Sequence, residues 1–190
     1  PIPVRYFLVE LVLALGFLGL YFFYGISALW LIAAGLFAAL VIVTVIDLDH
    51  QIIPDEISIP GILVGLAASA LVPELHGAVN RWGALLDSGL GIVAGGGSIY
   101  LIGLFGNLVF KKESMGGGDV KLLAMIGAFL GWKLVILVFF LAPFFGTVVG
   151  VYQRVRYGAE LIPYGPFLSL AAMITLLWGN DLLGYLFPYL

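Results

Sequence analysis

The feature that most constrains this chain is a succession of apolar runs, most of them near the roughly 20 helical residues that cross a hydrocarbon core. Hydropathy and helix breakers place them near 7 to 24, 28 to 46, 57 to 72, 86 to 109, 119 to 131, 134 to 152 and 165 to 187. The expected fold is therefore all-α, a polytopic transmembrane helical bundle of about seven spans. Of the 190 residues, 63% are hydrophobic and 10% charged, against about a quarter charged in a soluble domain. Lipid rather than water is the main solvent. The fifth run, after Gly116, Gly117 and Gly118, is short and reads as tilted or partly re-entrant. The last holds Gly179, Asn180 and Asp181, so an early end is expected there. No repeat, low-complexity tract or linker divides the chain, and residues 1–190 are expected to form a single membrane-embedded domain.

The chain has no cysteine and two scattered histidines, which removes disulfides and thiolate sites and gives no basis for a histidine metal cluster. No metal and no cofactor is expected. A net charge of -3, without a basic stripe, offers no footprint for nucleic acid. Lys and Arg gather in cytoplasmic loops. With a cytoplasmic amino end, Arg5, Lys111, Lys112, Lys121, Arg154 and Arg156 fall on that side, leaving Arg81 and Lys133 opposite. The same threading brings the segments around Asp47, Asp119 and Pro163 to the cytoplasmic face.

Two clusters on that face carry chemical potential. In the first, Asp47-Leu-Asp49-His50-Gln51-Ile52-Ile53-Pro54-Asp55-Glu56 follows the apolar run that ends at Ile46. By position alone Asp47 reads more as a solvated boundary residue than as a functional one. Asp49 would face elsewhere on a continuing helix. Asp55 and Glu56 follow Pro54 and suit a helix amino terminus, where negative charge is stabilised. His50 and His76 read as loop residues.

In the second cluster, Glu113-Ser-Met-Gly116-Gly117-Gly118-Asp119-Val-Lys121 lies between apolar stretches. Consecutive glycines let another chain approach closely, so an extended substrate fits there, as does a simple turn with Asp119 capping a helix. A carboxylate placed within hydrocarbon costs about 2.5 to 3.5 kcal/mol, which favours a use for Asp119. Lys121 is two positions on and does not face Asp119 on a helix; it suits snorkelling to the surface. Glu113 either orients the loop or is solvated.

Two aspartates at one edge of the bundle form a candidate dyad for peptide hydrolysis. One carboxylate takes a proton from water while its protonated neighbour polarises the scissile carbonyl. The alternative from another class is a proton- or ion-coupled membrane transporter, since intramembrane carboxylates also serve as relays. Such a protein would place them near the midplane between related halves. A non-catalytic assembly scaffold is a third reading, with the aspartates only satisfying helix ends.

Ile46-Asp47 with Ile53-Pro54-Asp55, then Met115-Gly-Gly-Gly-Asp119-Val-Lys-Leu, resembles the type IV prepilin peptidase family. Ile162-Pro-Tyr-Gly-Pro166-Phe-Leu resembles a further family segment, and Pro3 to Glu10 its approach to the second span. The likeness covers nearly the whole chain. Its members are GxGD-type membrane aspartic proteases that cut a basic leader from prepilins and pseudopilins at the cytoplasmic face of the bacterial inner membrane. The resemblance implies catalysis by Asp47 and Asp119, with Gly116 and Gly118 as the motif glycines and Asp49 the rival for the first role. Asp49, Asp55, Glu56 and Glu113 would attract a basic leader. Presenilin-like and signal-peptide-peptidase-like proteases share the glycine signature but pair it with Tyr-Asp and Pro-Ala-Leu, where this chain reads Ile-Asp and Ile-Pro-Tyr-Gly-Pro. Full-length bacterial members resemble this chain plus an earlier span and a cytoplasmic segment with paired cysteines, commonly linked to methylation of the trimmed pilin. The first residue, Pro1 rather than Met, fits a trimmed chain, and the sequence leaves open both a peptidase-only form and a fragment of a bifunctional protein.

Overall fold

A computed structural model of the chain describes residues 4–110, 116–157 and 162–186. Six α-helices follow in order: α1 Val4–Tyr24, α2 Ala28–His50, α3 Asp55–Leu71, α4 Arg81–Phe110, α5 Gly117–Tyr157 and α6 Gly165–Leu186, with a 3-10 turn at Pro73–His76 between α3 and α4. Among the described residues there is no strand. Five of these helices are long and apolar enough to cross a membrane; α3, at 17 residues, is the shortest of the six.

The expected count of seven differs from these five chiefly at α3 and at α5. A 41-residue helix would be about 60 Å long if straight, twice a hydrocarbon core. It is broken at Gly131, whose φ of 77° and ψ of 174° suit a residue without Cβ. Before the break, α5 packs along α4 with Gly96 beside Val120, Gly95 beside Leu123 and Gly91 beside Gly127. After it, α5 packs along α6 with Leu134 beside Gly179 and Gly146 beside Phe167, and beyond that Gly150 lies beside Ile162 ahead of α6. The chain therefore reverses at Gly131, and the expected runs 119 to 131 and 134 to 152 are the two limbs of one hairpin. The start of the first limb and the end of the second share one end of the bundle, here called upper; Gly131 lies at the lower end.

Other boundaries differ from expectation for local reasons. α2 continues beyond residue 46 to His50, so Asp47, Asp49 and His50 are helical. It stops where Gln51 takes a left-handed φ of 55° and its N–H bonds to the Asp47 carbonyl at 2.9 Å. α4 starts at Arg81 rather than 86 because the Asn80 side chain accepts the Gly83 N–H at 2.7 Å, a helix cap. α6 does not end early at Gly179, which packs on Leu134 instead.

The first limb of α5 is the centre of the bundle. Leu122, Leu123, Met125, Ile126 and Ala128 are fully buried, packed among Leu36, Leu40 and Val43 of α2, Ile99 of α4, Val135 and Val138 of the second limb, and Leu168, Ala171 and Ala172 of α6. In lipid, small residues let helices approach closely enough for dispersion to hold them. α1 joins through a separate cluster in which Leu20 packs with Ala33 and Ala34, beside Phe17, Trp30 and Phe37.

Candidate active site

Asp47 occupies the last turn of α2 and is 4% exposed, a single buried charged side chain among the described residues. Its Oδ2 accepts the Gly165 N–H at 2.8 Å. Gly165 is the first residue of α6, so the carboxylate rests on the positive end of that helix. A Cβ on Gly165 would lie 2.7 Å from the same oxygen, which makes glycine a requirement of the contact.

Asp119 stands in the first turn of α5, its N–H bonded to the Gly116 carbonyl at 3.2 Å. The glycine run in front of it is not uniform. A Cβ on Gly116 would come within 3.1 Å of the Asp119 Oδ2, and one on Gly118 within 2.9 Å of the Ile53 side chain. Nothing lies within 4 Å of the corresponding point on Gly117. Gly118 is thus needed for close approach, Gly116 lies where a side chain would press on the Asp119 carboxylate, and the middle glycine meets neither constraint.

Asp47 and Asp119 line one cavity of about 480 Å³. Its other walls are Gln51, Ile52, Ile53 and Asp55 from the α2–α3 connection, Gly116 to Gly118, and Ile162, Pro163 and Tyr164 ahead of α6. Burial pushes the Tyr164 phenol up to about 12, with the charge of Asp119 adding to the shift. The phenol therefore stays protonated and keeps a hydrogen-bond donor near Asp119. Residue-by-residue reading assigned no role to Tyr164 or Gly165. The signal was the placement of Ile162 to Pro166 between two apolar runs; a backbone N–H as the partner of Asp47 has no side-chain signature.

The remaining expected site residues divide. Asp55 lines the cavity and pairs with Lys121, whose Nζ lies 2.7 and 2.6 Å from its two oxygens. Asp49 turns away and meets Arg5 at 2.5 Å. Glu56 is in the first turn of α3 and outside the cavity lining. Glu113, like Lys111 and Lys112, lies outside the described residues. Of the remaining basic residues, Arg5, Lys121, Arg154 and Arg156 are at the upper end with the aspartates, and Arg81 and Lys133 at the lower. His76 is more than a loop residue: its Nε2 is 2.7 Å from the Ser69 Oγ, beneath Gly131. Among the described residues no three His, Cys, Asp or Glu side chains stand together as a metal-ligand set. Two carboxylates facing one cavity are equipped for acid–base chemistry on a bound water.

Residues 34–151 match the sequence model of the type IV leader peptidase family. The chain is 37% identical over 184 residues to a prepilin leader peptidase/N-methyltransferase of Pseudomonas putida, covering 95% of this chain and 61% of that protein. A protein of the same description from Pseudomonas aeruginosa is 36% identical over 185 residues, covering 94% and 60%. One from Legionella pneumophila is 27% identical over 172 residues, covering 87% and 53%. The chain thus spans some three fifths or less of the length of these relatives. No solved structure matches it.

Proposed function

We propose, from the premise that this chain belongs to the type IV leader peptidase family, that it is a membrane aspartic endopeptidase acting on type IV prepilins or pseudopilins. The observation that carries the reading is that Asp47 and Asp119, far apart in sequence and on different helices, face one cavity. One carboxylate, ionised, takes a proton from a water held between them; the water oxygen attacks the scissile carbonyl carbon. The other, protonated, donates a hydrogen bond to the carbonyl oxygen as it gains negative charge; the tetrahedral intermediate then collapses, the C–N bond breaks and the leaving amine takes the proton removed from the water. Proton occupancy belongs to the pair.

The gathering of Arg5, Lys121, Arg154 and Arg156 at the dyad end supports a cytoplasmic placement of that end in the bacterial inner membrane. Residues 1–190 act as one peptidase domain. The basic leader reaches the dyad from the cytoplasm and its apolar stem stays in the bilayer. Because Asp49 and Asp55 are each paired with a cation, attraction of the leader falls mainly to the dyad and Glu56. Both aspartates lie at one end of the bundle, which weighs against a coupled transporter built around a midplane site. No residue here is proposed for the methyl transfer in the relatives' names.

The test is cleavage of a peptide with a basic leader, a glycine and an apolar stem by purified protein beside Asp47→Asn and Asp119→Asn. Each substitution is expected to lower kcat by about 10²- to 10⁴-fold or more, with the helical content unchanged. Wild-type rates in both variants would overturn the dyad.

A further inference from the structure

A groove of about 410 Å³ runs between α1, α2 and α6. Leu8 and Val12 of α1, Leu40 and Val45 of α2, and Leu170 and Met173 of α6 give it apolar walls. Its upper end reaches the level of Asp47: Leu48 follows Asp47 in sequence, and Pro166 follows Gly165, whose N–H holds the Asp47 carboxylate, although the groove and the dyad cavity share no lining residue. A second apolar groove, between α2, α3 and α5, comes no closer along α2 than Ala39, eight residues or about 12 Å short of Asp47, and no closer along α5 than Met125, six residues or about 9 Å short of Asp119.

Two further observations concern what the first groove holds. Ser169 lines it, and its buried hydroxyl finds no hydrogen-bond partner among the described residues. α1 is also anchored mainly at its lower half. There Phe17 packs edge-on against Phe37, the Trp30 Nε1–H donates to the Phe17 carbonyl at 3.2 Å, and the Tyr24 hydroxyl donates to the Leu176 carbonyl at 3.2 Å. At the upper end it is held by Arg5, which reaches Asp49 and the Val45 carbonyl from an exposed position.

We propose that this groove seats the apolar stem of the leader-bearing substrate, positioning the bond above it at Asp47 and Asp119. The inference rests on the proteolytic reading above. Height in the bundle selects the substrate as occupant: a stem embedded in the bilayer must end near the level of Asp47, and this groove rises to Leu48 and Pro166 while the α2–α3 groove stops at Ala39 on α2 and Met125 on α5. α1, fixed below and lightly held above, forms a side wall that admits a helix from the bilayer.

Val9→Trp and Leu170→Trp fill the groove; Val64→Trp fills the other one. Each is assayed on a substrate with its full stem and on one cut back to a few residues beyond the cleaved bond. The groove variants are expected to raise KM for the full-stem substrate by roughly tenfold or more, with kcat and all rates on the short substrate unchanged; Val64→Trp should alter neither. Independently, a photoreactive side chain at Met173, in an Asp119→Asn protein, should cross-link the full-stem substrate, and one at Val64 should not. Groove variants that handle the full stem like wild type would mean that lipid fills the groove, overturning the proposal, as would adducts from Val64 alone or from neither site. If a variant loses both substrates alike, its fold has failed and the cross-link decides. If wild type cleaves neither substrate, the proteolytic reading fails, and an adduct from Met173 still separates that failure from failure of the groove.

Discussion

α1 and the α4–α5 pair are equally at home in lipid, yet they are held in opposite ways. Where α4 meets the first limb of α5, backbones are in direct contact: a Cβ on Gly91 would lie 2.1 Å from the Gly127 carbonyl oxygen, and one on Gly127 2.1 Å from that of Gly91. Ser88 reinforces the contact by donating to the Ala128 carbonyl at 2.7 Å. α1 has 21 residues and a single buried one, Leu20. In water such a difference would follow apolar content, but in a bilayer apolar content does not discriminate between packed and unpacked helices. Rigidity here tracks glycine placement, and it is concentrated on the limb that begins with Asp119.

Breaking the rigid side should have the largest effect. Gly127→Ala sets a Cβ 2.1 Å from the Gly91 carbonyl oxygen, against backbone, which cannot rotate away, so destabilisation beyond the usual 1–3 kcal/mol of overpacking is expected. The check is loss of the monodisperse, helical protein in detergent. The matching substitution on the loose side, Gly16→Ala, meets only the Phe37 ring, at 1.9 Å. That ring can swing toward lipid, so a cost of about 1 kcal/mol is expected, read as a fall in Tm of about 2–4 °C. Equal losses in the two variants would erase the contrast.

A smaller effect is expected from acid at the base of the rigid pair. Burial holds His76 below its usual 6.5, with Asp87 of α4 pulling the other way; Glu74 and Lys133 line the same cavity. Because the folded value is depressed, the unfolded chain takes up the proton first. The contribution is therefore complete above about pH 6.5 and lost as pH falls below it. The difference in Tm between wild type and His76→Gln should shift against wild type on acidification; a pH-independent difference would count against a buried neutral imidazole. The smallest effect belongs to Arg5→Ala, which removes an exposed ion pair and should leave Tm unchanged within error. A clear drop would show that the upper half of α1 is held more firmly than its contacts imply.

Much of this arrangement could be read from the chain. Apolar runs located the helices, and Arg5, Lys121, Arg154 and Arg156 stand at the dyad end with Arg81 and Lys133 at the other, the grouping expected for the described basic residues. Asp119 stood out because it opens an apolar run, where a carboxylate needs a reason; Asp47, at a span boundary, stood out only beside it and through the family resemblance. The partners were hidden by distance along the chain. Arg5 and Asp49 are 44 residues apart, and Lys121 and Asp55 are 66 apart, so neither ion pair leaves a local pattern. Gly165 acts through its N–H, which every residue but proline owns, and its identity matters only because of the carboxylate packed on it. The need for Gly118 arises from Ile53, on another connection. The Asn80 cap was readable as a helix start, but the apolar run begins later and drew the boundary with it.

The reversal of α5 at one residue has a bearing on how the orientation of this chain could be mapped. A reporter or protease site must be inserted where the chain can bulge outward. Gly131 has no slack of that kind, since its backbone lies against the His76 ring with helices continuing on both sides. Val79, fully exposed between the 3-10 turn and α4, does. A label at Val79 would report which compartment the lower rim faces, whereas one at Gly131 would report only that the hairpin had been pried apart.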